Sequence, residues 1–153
     1  MSKELLIEAL NPLAAAIAPL ALEDPAAARA AVEAALPFGG PAVAAARAAA
    51  EAGARDGWLL PREADGIRFG RVVKDLCGLS VDAVLMDRPG PRHRHPLGEV
   101  DLCFTTQGDA RFDGHPEGWV VYGPDSVHVP TVRGGTMLIL YFLPAGKIEF
   151  LEA

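Results

Sequence analysis

Two histidines one residue apart form the pair most suited to chemistry in this sequence. His93 and His95 flank Arg94, and Glu99 follows four residues after the second histidine. Alternate side chains of a β-strand share a face, so we expect the two imidazoles to project together and Arg94 to point away. Imidazole nitrogens and a carboxylate oxygen are ligands that suit a divalent Zn, Fe, Mn or Ni ion.

The segment between His95 and Glu99 is expected to bend. Pro96 and Gly98 do not continue a regular ladder of hydrogen bonds, and a turn there would return the Glu99 carboxylate towards the imidazoles. A further ligand must come from elsewhere in the chain, and His128 is the best candidate. The residue types do not identify the metal, because several divalent ions accept this ligand set.

Composition limits the classes of partner. The chain has 153 residues, a formal net charge of −6 and an ordinary charged fraction, which predict one globular domain's worth of protein. The acidic balance argues against nucleic acid and anionic membranes as partners. No apolar run reaches the length of a membrane span, and the first residues lack a secretory signal pattern. With no paired cysteine motif, we expect a cytoplasmic protein.

The first third of the chain predicts helices. Ser2 caps a helix to about Ala18, within which Pro12 predicts a kink or a break. Asp24 and Pro25 start a second helix, which ends before the Pro37–Gly40 segment. A third helix runs from about Pro41 to Gly53. We therefore predict a helical N-terminal extension over residues 1–57.

The rest of the chain, residues 58–153, predicts short strands separated by Gly, Pro and Asp turns. Because no helix intervenes, an antiparallel sandwich or barrel is expected. Aromatic residues late in this region, including Phe150, are expected in the core. The predicted strands are Ile67–Lys74, Val81–Asp87, Glu99–Thr105, Gly118–Tyr122, Val127–Val132 and Thr136–Leu143.

Two segments of this region resemble the cupin superfamily. The first holds His93, His95 and Glu99 between Gly90 and Gly108, and the second runs from Gly118 to His128, with Asp125 where the family usually has glycine. The resemblance implies a mainly β fold, a cupin-like antiparallel β-barrel (jelly roll) behind the helical extension. It also implies that His93, His95, Glu99 and His128 bind a divalent metal ion.

A narrower resemblance extends over nearly the whole chain, to the 4-hydroxylaminobenzoate lyases. It implies conversion of 4-hydroxylaminobenzoate to protocatechuate with release of ammonia, in bacterial nitroaromatic breakdown. The segments that carry it are Glu63–Lys74 (EADGIRFGRVVK), His95–Cys103 (HPLGEVDLC), Arg111–Tyr122 (RFDGHPEGWVVY) and His128–Phe150 (HVPTVRGGTMLILYFLPAGKIEF).

A hydroxylaminobenzoate substrate requires further side chains. Its carboxylate calls for an arginine, which can grip it with two hydrogen bonds. Candidates for proton transfer are Glu99, Asp101 and Tyr122, with the turn residue His115 a weaker candidate. Asp101 alternates with Glu99 and could equally fix a histidine tautomer from outside the ligand set. For the small aromatic carboxylate we favour the arginines Arg71, Arg92 and Arg94.

Two other function classes stay open at this stage. Another cupin metalloenzyme, such as an aromatic dioxygenase or an isomerase, would use the same ligands and consume oxygen or rearrange its substrate. A non-catalytic small-molecule-binding protein would tolerate His95→Ala with little loss of ligand affinity. The small-residue faces of the predicted helices suit a homodimer or a higher homo-oligomer.

Overall fold

The computed structural model describes residues 2–152, in which three helices precede nine strands. The helices are α1 (Lys3–Ile17), α2 (Pro25–Ala35) and α3 (Pro41–Asp56). The strands are β1 (Arg62–Ala64), β2 (Ile67–Leu76), β3 (Leu79–Met86), β4 (His93–His95), β5 (Glu99–Phe112), β6 (Gly118–Tyr122), β7 (Ser126–His128), β8 (Val132–Pro144) and β9 (Glu149–Phe150). The predicted order of helices followed by strands is confirmed.

Local capping explains where the first two helices begin. The Ser2 hydroxyl accepts from the Leu5 amide, and the Asp24 carboxylate accepts from the Ala27 amide, with Pro25 following Asp24. Each cap satisfies an amide that has no partner inside the helix.

Pro12 lies inside α1 without ending it, so of the predicted kink or break the break is wrong. The proline cannot donate to the Glu8 carbonyl, but Pro12 and Glu8 are both exposed and that carbonyl can bind water. Leu10 and Leu13, on either side, are fully buried. Their packing outweighs the cost of one missing hydrogen bond.

The strands form two antiparallel sheets within residues 2–152. The larger has the order β1-β2-β3-β8-β5-β6, and the smaller has the order β7-β4-β9. The chain passes from the large sheet at β3 to the small sheet at β4, returns at β5, and crosses again between β6 and β7. This is the jelly-roll arrangement of two sheets, and the expected cupin-like fold is confirmed. The sheets remain separate and do not close into one continuous barrel.

The large sheet has a hydrophobic core on each face. One face packs against the helices through residues such as Leu102, Phe104 and Trp119, and the Trp119 indole donates to the Leu36 carbonyl over 2.9 Å. The other face carries a second core that includes Phe112 and faces the interior of the jelly roll. Because successive strand residues alternate between faces, β5 contributes to both cores.

Two predictions about the end of the chain are wrong. The predicted strand from Val127 to Val132 is divided, because β7 ends at His128 and β8 begins at Val132. Phe150 is not in the core: its side chain is 64% exposed, since β9 is a two-residue strand at the edge of the small sheet. None of the helices in residues 2–152 has the length and apolar character needed to cross a bilayer.

Candidate metal centre

The predicted ligands converge on one point between the two sheets. His93 and His95 project from the same side of β4, and His128 lies directly opposite His93 on β7. Glu99 starts β5 in the large sheet, immediately after the turn. One donor atom from each of these four residues lies within 4.8 Å of the others, and all but half-buried His128 are buried.

The three imidazoles approach each other through their Nε2 atoms. His93 Nε2 is 2.8 Å from His95 Nε2 and 3.1 Å from His128 Nε2. The Glu99 Oε2 atom is 3.1 Å from His95 Nε2. Two nitrogens that are each about 2.1 Å from one ion, at right angles, lie about 3 Å apart, so these distances match a shared ion.

The Nδ1 atoms of the three imidazoles face away from the cluster and contact groups outside it. His93 Nδ1 lies 3.0 Å from the Pro91 carbonyl, and His128 Nδ1 lies 2.7 Å from Asp113 Oδ2. A carbonyl or carboxylate oxygen accepts, so Nδ1 carries a proton in both rings, and in a neutral ring this leaves Nε2 with a lone pair. His95 Nδ1 is 3.0 Å from the Ser126 hydroxyl, which can accept in the same way.

Lone pairs that face each other at such distances repel unless a cation lies between them. Burial lowers the pKa of His93, an effect that the Glu99 charge partly offsets, so this imidazole is neutral at neutral pH. The cluster therefore presents three Nε2 atoms and one carboxylate, and the rings are held from behind in the orientation that metal-binding histidines have. These residues fit a divalent metal ion, whose identity they do not fix.

Two acidic side chains share the interior face of β5. Glu99 and Asp101 are buried, and neither has a hydrogen-bond donor of normal geometry among residues 2–152. Burial raises the pKa of Asp101 well above its ordinary value, and the charge of Glu99 adds to the rise. A proton on Asp101 would let it donate to one Glu99 oxygen and leave the other oxygen to face a cation.

Asp113, which no motif of the sequence singles out, contacts the cluster from outside. Its Oδ2 atom accepts from His128 Nδ1 and from the Tyr122 hydroxyl, and its Oδ1 atom accepts from the Thr131 amide over 2.9 Å. Burial raises the pKa of Asp113, but these hydrogen bonds more than offset it and the net pKa is below the usual value. Burial and the bond to Asp113 raise the pKa of Tyr122, which therefore stays protonated.

Arg71 lies on the interior face of the large sheet. The cross-strand register places Arg71 opposite Asp82, Asp82 opposite Tyr141, and Tyr141 opposite Asp101. Residues directly opposite each other share a face, so Arg71 is three strands away from Asp101 on the same face. Its guanidinium is half exposed and bonds the Asp82 carboxylate over 2.9 Å.

The other two predicted arginines lie outside the cluster. Arg94 points away from the histidines, as the alternation of β4 predicts, and pairs with Asp125 and with Glu149, the latter at 3.0 Å. Arg92 is exposed, and its Nη1 atom is 3.5 Å from the Glu152 carbonyl oxygen. His115 sits in the turn between β5 and β6, apart from the other three histidines.

Two turns set the position of the ligands. The Gly98 amide bonds the His95 carbonyl over 3.2 Å, and Gly98 has a φ of 90°, which delivers Glu99 to the cluster. Asp125 stands where the resemblance leads us to expect glycine. It has a φ of 63°, a left-handed conformation that aspartate tolerates better than most residues, and its amide bonds the His95 carbonyl over 2.7 Å.

Comparisons with known proteins identify one family. The family described as PnbB: 4-hydroxylaminobenzoate lyase matches residues 14–150. A 4-hydroxylaminobenzoate lyase of Nocardioides sp. (strain LMS-CY) is 38% identical, over 64% of this chain and 66% of that protein, just under two thirds of its length. A 4-hydroxylaminobenzoate lyase of Pseudomonas putida is 29% identical, over 64% of this chain and 68% of that protein.

Among solved structures, an RmlC-like cupin protein of Ralstonia eutropha JMP134 is similar. It is 18% identical with a TM-score of 0.42, over 58% of this chain and 62% of that chain.

Proposed function

Because this chain belongs to the 4-hydroxylaminobenzoate lyase family, we propose that it is a metal-dependent lyase that converts 4-hydroxylaminobenzoate to protocatechuate. The substrate and one water give protocatechuate and ammonia, so the balance needs no external oxidant. The N–O and C–N bonds break, and two ring C–O bonds form. We place this reaction in nitroaromatic degradation in the cytoplasm.

The observation that carries the metal is the convergence of three Nε2 atoms and one carboxylate. His93, His95, Glu99 and His128 would hold the ion. When bound, a divalent ion supplies Lewis-acid chemistry at the hydroxylamine oxygen and lowers the pKa of water at the site. Fe, Mn, Zn and Ni ions are all compatible with these ligands.

The buried acids supply the proton chemistry in this proposal. Burial and the charge of Glu99 raise the pKa of the fully buried Asp101 well above its ordinary value, which favours a protonated carboxyl group. That proton can pass to the departing oxygen or nitrogen of the substrate. The Tyr122 hydroxyl donates to Asp113, the carboxylate that also contacts His128. Tyr122 therefore helps to keep Asp113 in place behind His128.

Arg71 is the predicted arginine best placed for the substrate carboxylate. It lies on the same sheet face as Asp101, whereas Arg94 lies on the far side of β4 and already pairs with two carboxylates. The substrate carboxylate would share or replace the partnership with Asp82. Arg92, which lies close in space to the last residues of the chain, remains a second candidate for the substrate carboxylate.

Phe150 supports the choice of an aromatic substrate. It lies opposite His93 in the pairing of β9 with β4, and the two ring centroids are 5.8 Å apart. Its side chain is mostly exposed, so an open aromatic surface adjoins the cluster. We propose that this surface contacts the substrate ring.

The deciding experiment measures both products together. Metal-free protein is loaded separately with Fe²⁺, Mn²⁺, Zn²⁺ or Ni²⁺ and incubated with 4-hydroxylaminobenzoate under nitrogen. We expect ammonia and protocatechuate in equal amounts with at least one ion, and neither without metal. Product that forms only with oxygen would favour a dioxygenase instead, and no turnover with any ion would favour a binding protein.

A homodimer or higher homo-oligomer is also part of this proposal. Val127 on β7 and the nearby Val129 are large apolar side chains exposed beside the small sheet, as is Leu97 in the turn before β5. A second copy of the chain would cover them. Light scattering at micromolar concentration is expected to give at least twice the chain mass, and a monomer mass would reject the assembly.

A further inference from the structure

Asp113 connects three parts of the molecule behind the metal cluster. It follows the last residue of β5 and has a left-handed backbone conformation with a φ of 49°. Its carboxylate bonds His128 from β7, the Tyr122 hydroxyl from β6 and the Thr131 amide just before β8. On its outer side it lines a surface cavity of about 450 Å³.

The two oxygens of the Asp113 carboxylate accept from different donors. Oδ1 accepts from the backbone amide of Thr131, which can only donate. Oδ2 accepts from His128 Nδ1 at 2.7 Å. The amide fixes one end of the side chain, so the other end must face the imidazole.

We propose that Asp113 is a positioning residue that fixes the His128 tautomer and thereby makes its Nε2 atom available to the metal. This inference rests on the proposed metal site but not on the proposed substrate. A carboxylate that accepts from Nδ1 keeps the proton there and leaves Nε2 with a lone pair. Because half-buried His128 is the most accessible ligand of the cluster, its orientation depends on this contact.

Asp113→Asn tests the mechanism with a nearly isosteric change. The single remaining oxygen must stay with the Thr131 amide, so the new NH₂ group faces His128 Nδ1. That group donates, which moves the ring proton to Nε2, inside the cluster. We expect the affinity for Zn²⁺, measured by competition with a chelator, to fall by about 10- to 100-fold.

Asp113→Ala separates this role from simple stabilisation of the fold. Alanine removes the acceptor without adding a donor, so the imidazole can still present Nε2 when Zn²⁺ binds. Asparagine tolerates a positive φ better than alanine does, so the metal-free Asn variant should unfold at the higher temperature. The expected order of Zn²⁺ affinity is the reverse, with the Ala variant binding more tightly than the Asn variant.

A direct readout is the ¹⁵N chemical shifts of the His128 ring in the metal-free protein. We expect the Nδ1–H form in the unmodified protein and the Nε2–H form in Asp113→Asn. Asp109→Asn is the matched control, because Asp109 lines the same cavity but makes no contact with the cluster. Its Zn²⁺ affinity and His128 tautomer should be unchanged.

Two results would overturn the inference. One is an unchanged His128 tautomer with unchanged Zn²⁺ affinity in folded Asp113→Asn. The other is a loss of affinity in Asp113→Ala that exceeds the loss in Asp113→Asn and follows the loss of thermal stability. Neither measurement uses turnover, so an error in the proposed reaction leaves this test intact.

Discussion

At the scale of single residues, the site depends on which ring nitrogens of the histidines already have hydrogen-bond partners. The histidines of the cluster have their Nδ1 atoms held from outside, by the Pro91 carbonyl, the Ser126 hydroxyl and the Asp113 carboxylate. Only their Nε2 atoms remain for an ion. A surface histidine pair would have no such fixed division, because water would satisfy both nitrogens.

The first prediction concerns metal content. His95→Ala removes a fully buried ligand and leaves three, so the bound metal should fall from about one equivalent to a small fraction, as measured by inductively coupled plasma mass spectrometry. His115→Ala is the control, because His115 lies outside the cluster. Equal metal content in the two variants would refute the assignment of ligands.

The second prediction concerns the substrate carboxylate. Arg71→Gln should raise KM for 4-hydroxylaminobenzoate by about 10-fold or more, since a charge-assisted bidentate contact is lost. Turnover of phenylhydroxylamine, which lacks the carboxylate, should change little. Arg68→Gln is the control, because Arg68 lies on the other face of β2, opposite Leu85. If both variants behave alike, Arg71 does not bind the carboxylate.

The third prediction concerns the substrate ring. Phe150→Ala should raise KM several-fold, because an aromatic contact contributes about 0.5–1.5 kcal/mol beyond its buried area. Stability should change little, since the side chain is mostly exposed. Leu5→Ala removes another exposed apolar side chain, on α1, and serves as the control. A KM equal to that of the unmodified protein would exclude Phe150 from the substrate contact.

At the scale of elements, the turn between β4 and β5 brings the two sheets to one site. Gly98 has a φ of 90°, and a Cβ atom there would lie 2.8 Å from both Leu22 Cδ1 and the Tyr122 carbonyl oxygen. The turn thus lies against the segment before α2 and against the end of β6. The position of Glu99 depends on this close approach.

The fourth prediction compares two glycines with similar backbone angles. Gly114 has a φ of 86°, but a Cβ atom there would meet nothing within 4 Å. Gly114→Ala should therefore cost only the backbone strain, about 1 kcal/mol. Gly98→Ala should cost about 1–3 kcal/mol more, from overpacking, and should also weaken Zn²⁺ binding. Urea unfolding of the metal-free variants measures the difference, and equal costs would contradict the packing argument.

Local pattern predicted the elements that carry the ligands, and it failed where a contact joins distant segments. The alternation of His93 and His95, and the turn before Glu99, depend on a few consecutive residues, so the sequence contains that information. Asp113 supports His128 only because β5 and β7 end near each other, 15 residues apart along the chain. In the sequence, Asp113 stands in a short Asp-Gly turn two residues before His115, with nothing local to link it to His128.

The same limit explains the errors outside the site. Proline is generally unfavourable inside a helix, and this predicted the break at Pro12. The burial of the two flanking leucines overrides that preference. Phe150 is apolar and lies near the end of a run of strands, which favours burial. Its exposure follows from a tertiary fact, that β9 forms the edge of a three-stranded sheet.

At the scale of the whole molecule, one sheet has two different roles. Its interior face carries Glu99 and Asp101, and its other face packs on the helices through Leu102, Phe104 and Trp119. Residues on the two faces alternate along β5, so a change in how the helices pack would also shift the ligand face. The helical layer thus supports the candidate metal site from the other face of the sheet.

The fifth prediction concerns the division of the chain into residues 1–57 and 58–153. Removing residues 1–57 would expose a face that includes Phe104, Trp119 and Phe142, all fully buried, and would leave the Trp119 indole without the Leu36 carbonyl. Aromatic side chains bury about 150–250 Å² each, so the new apolar patch would exceed what soluble monomers usually expose.

We therefore expect residues 58–153 alone to aggregate or to bind a hydrophobic dye strongly, and to bind Zn²⁺ much more weakly than the full chain. Size-exclusion chromatography, dye fluorescence and a chelator competition check these outcomes. The full chain with Trp119→Phe is the milder comparison, because it keeps the helical layer and loses only one hydrogen bond, worth about 1 kcal/mol, and part of the packing of one buried ring. A monodisperse fragment with full Zn²⁺ affinity would show that the strands hold the ligands without the helices. Packing of the helices on the large sheet would then be unnecessary for metal binding.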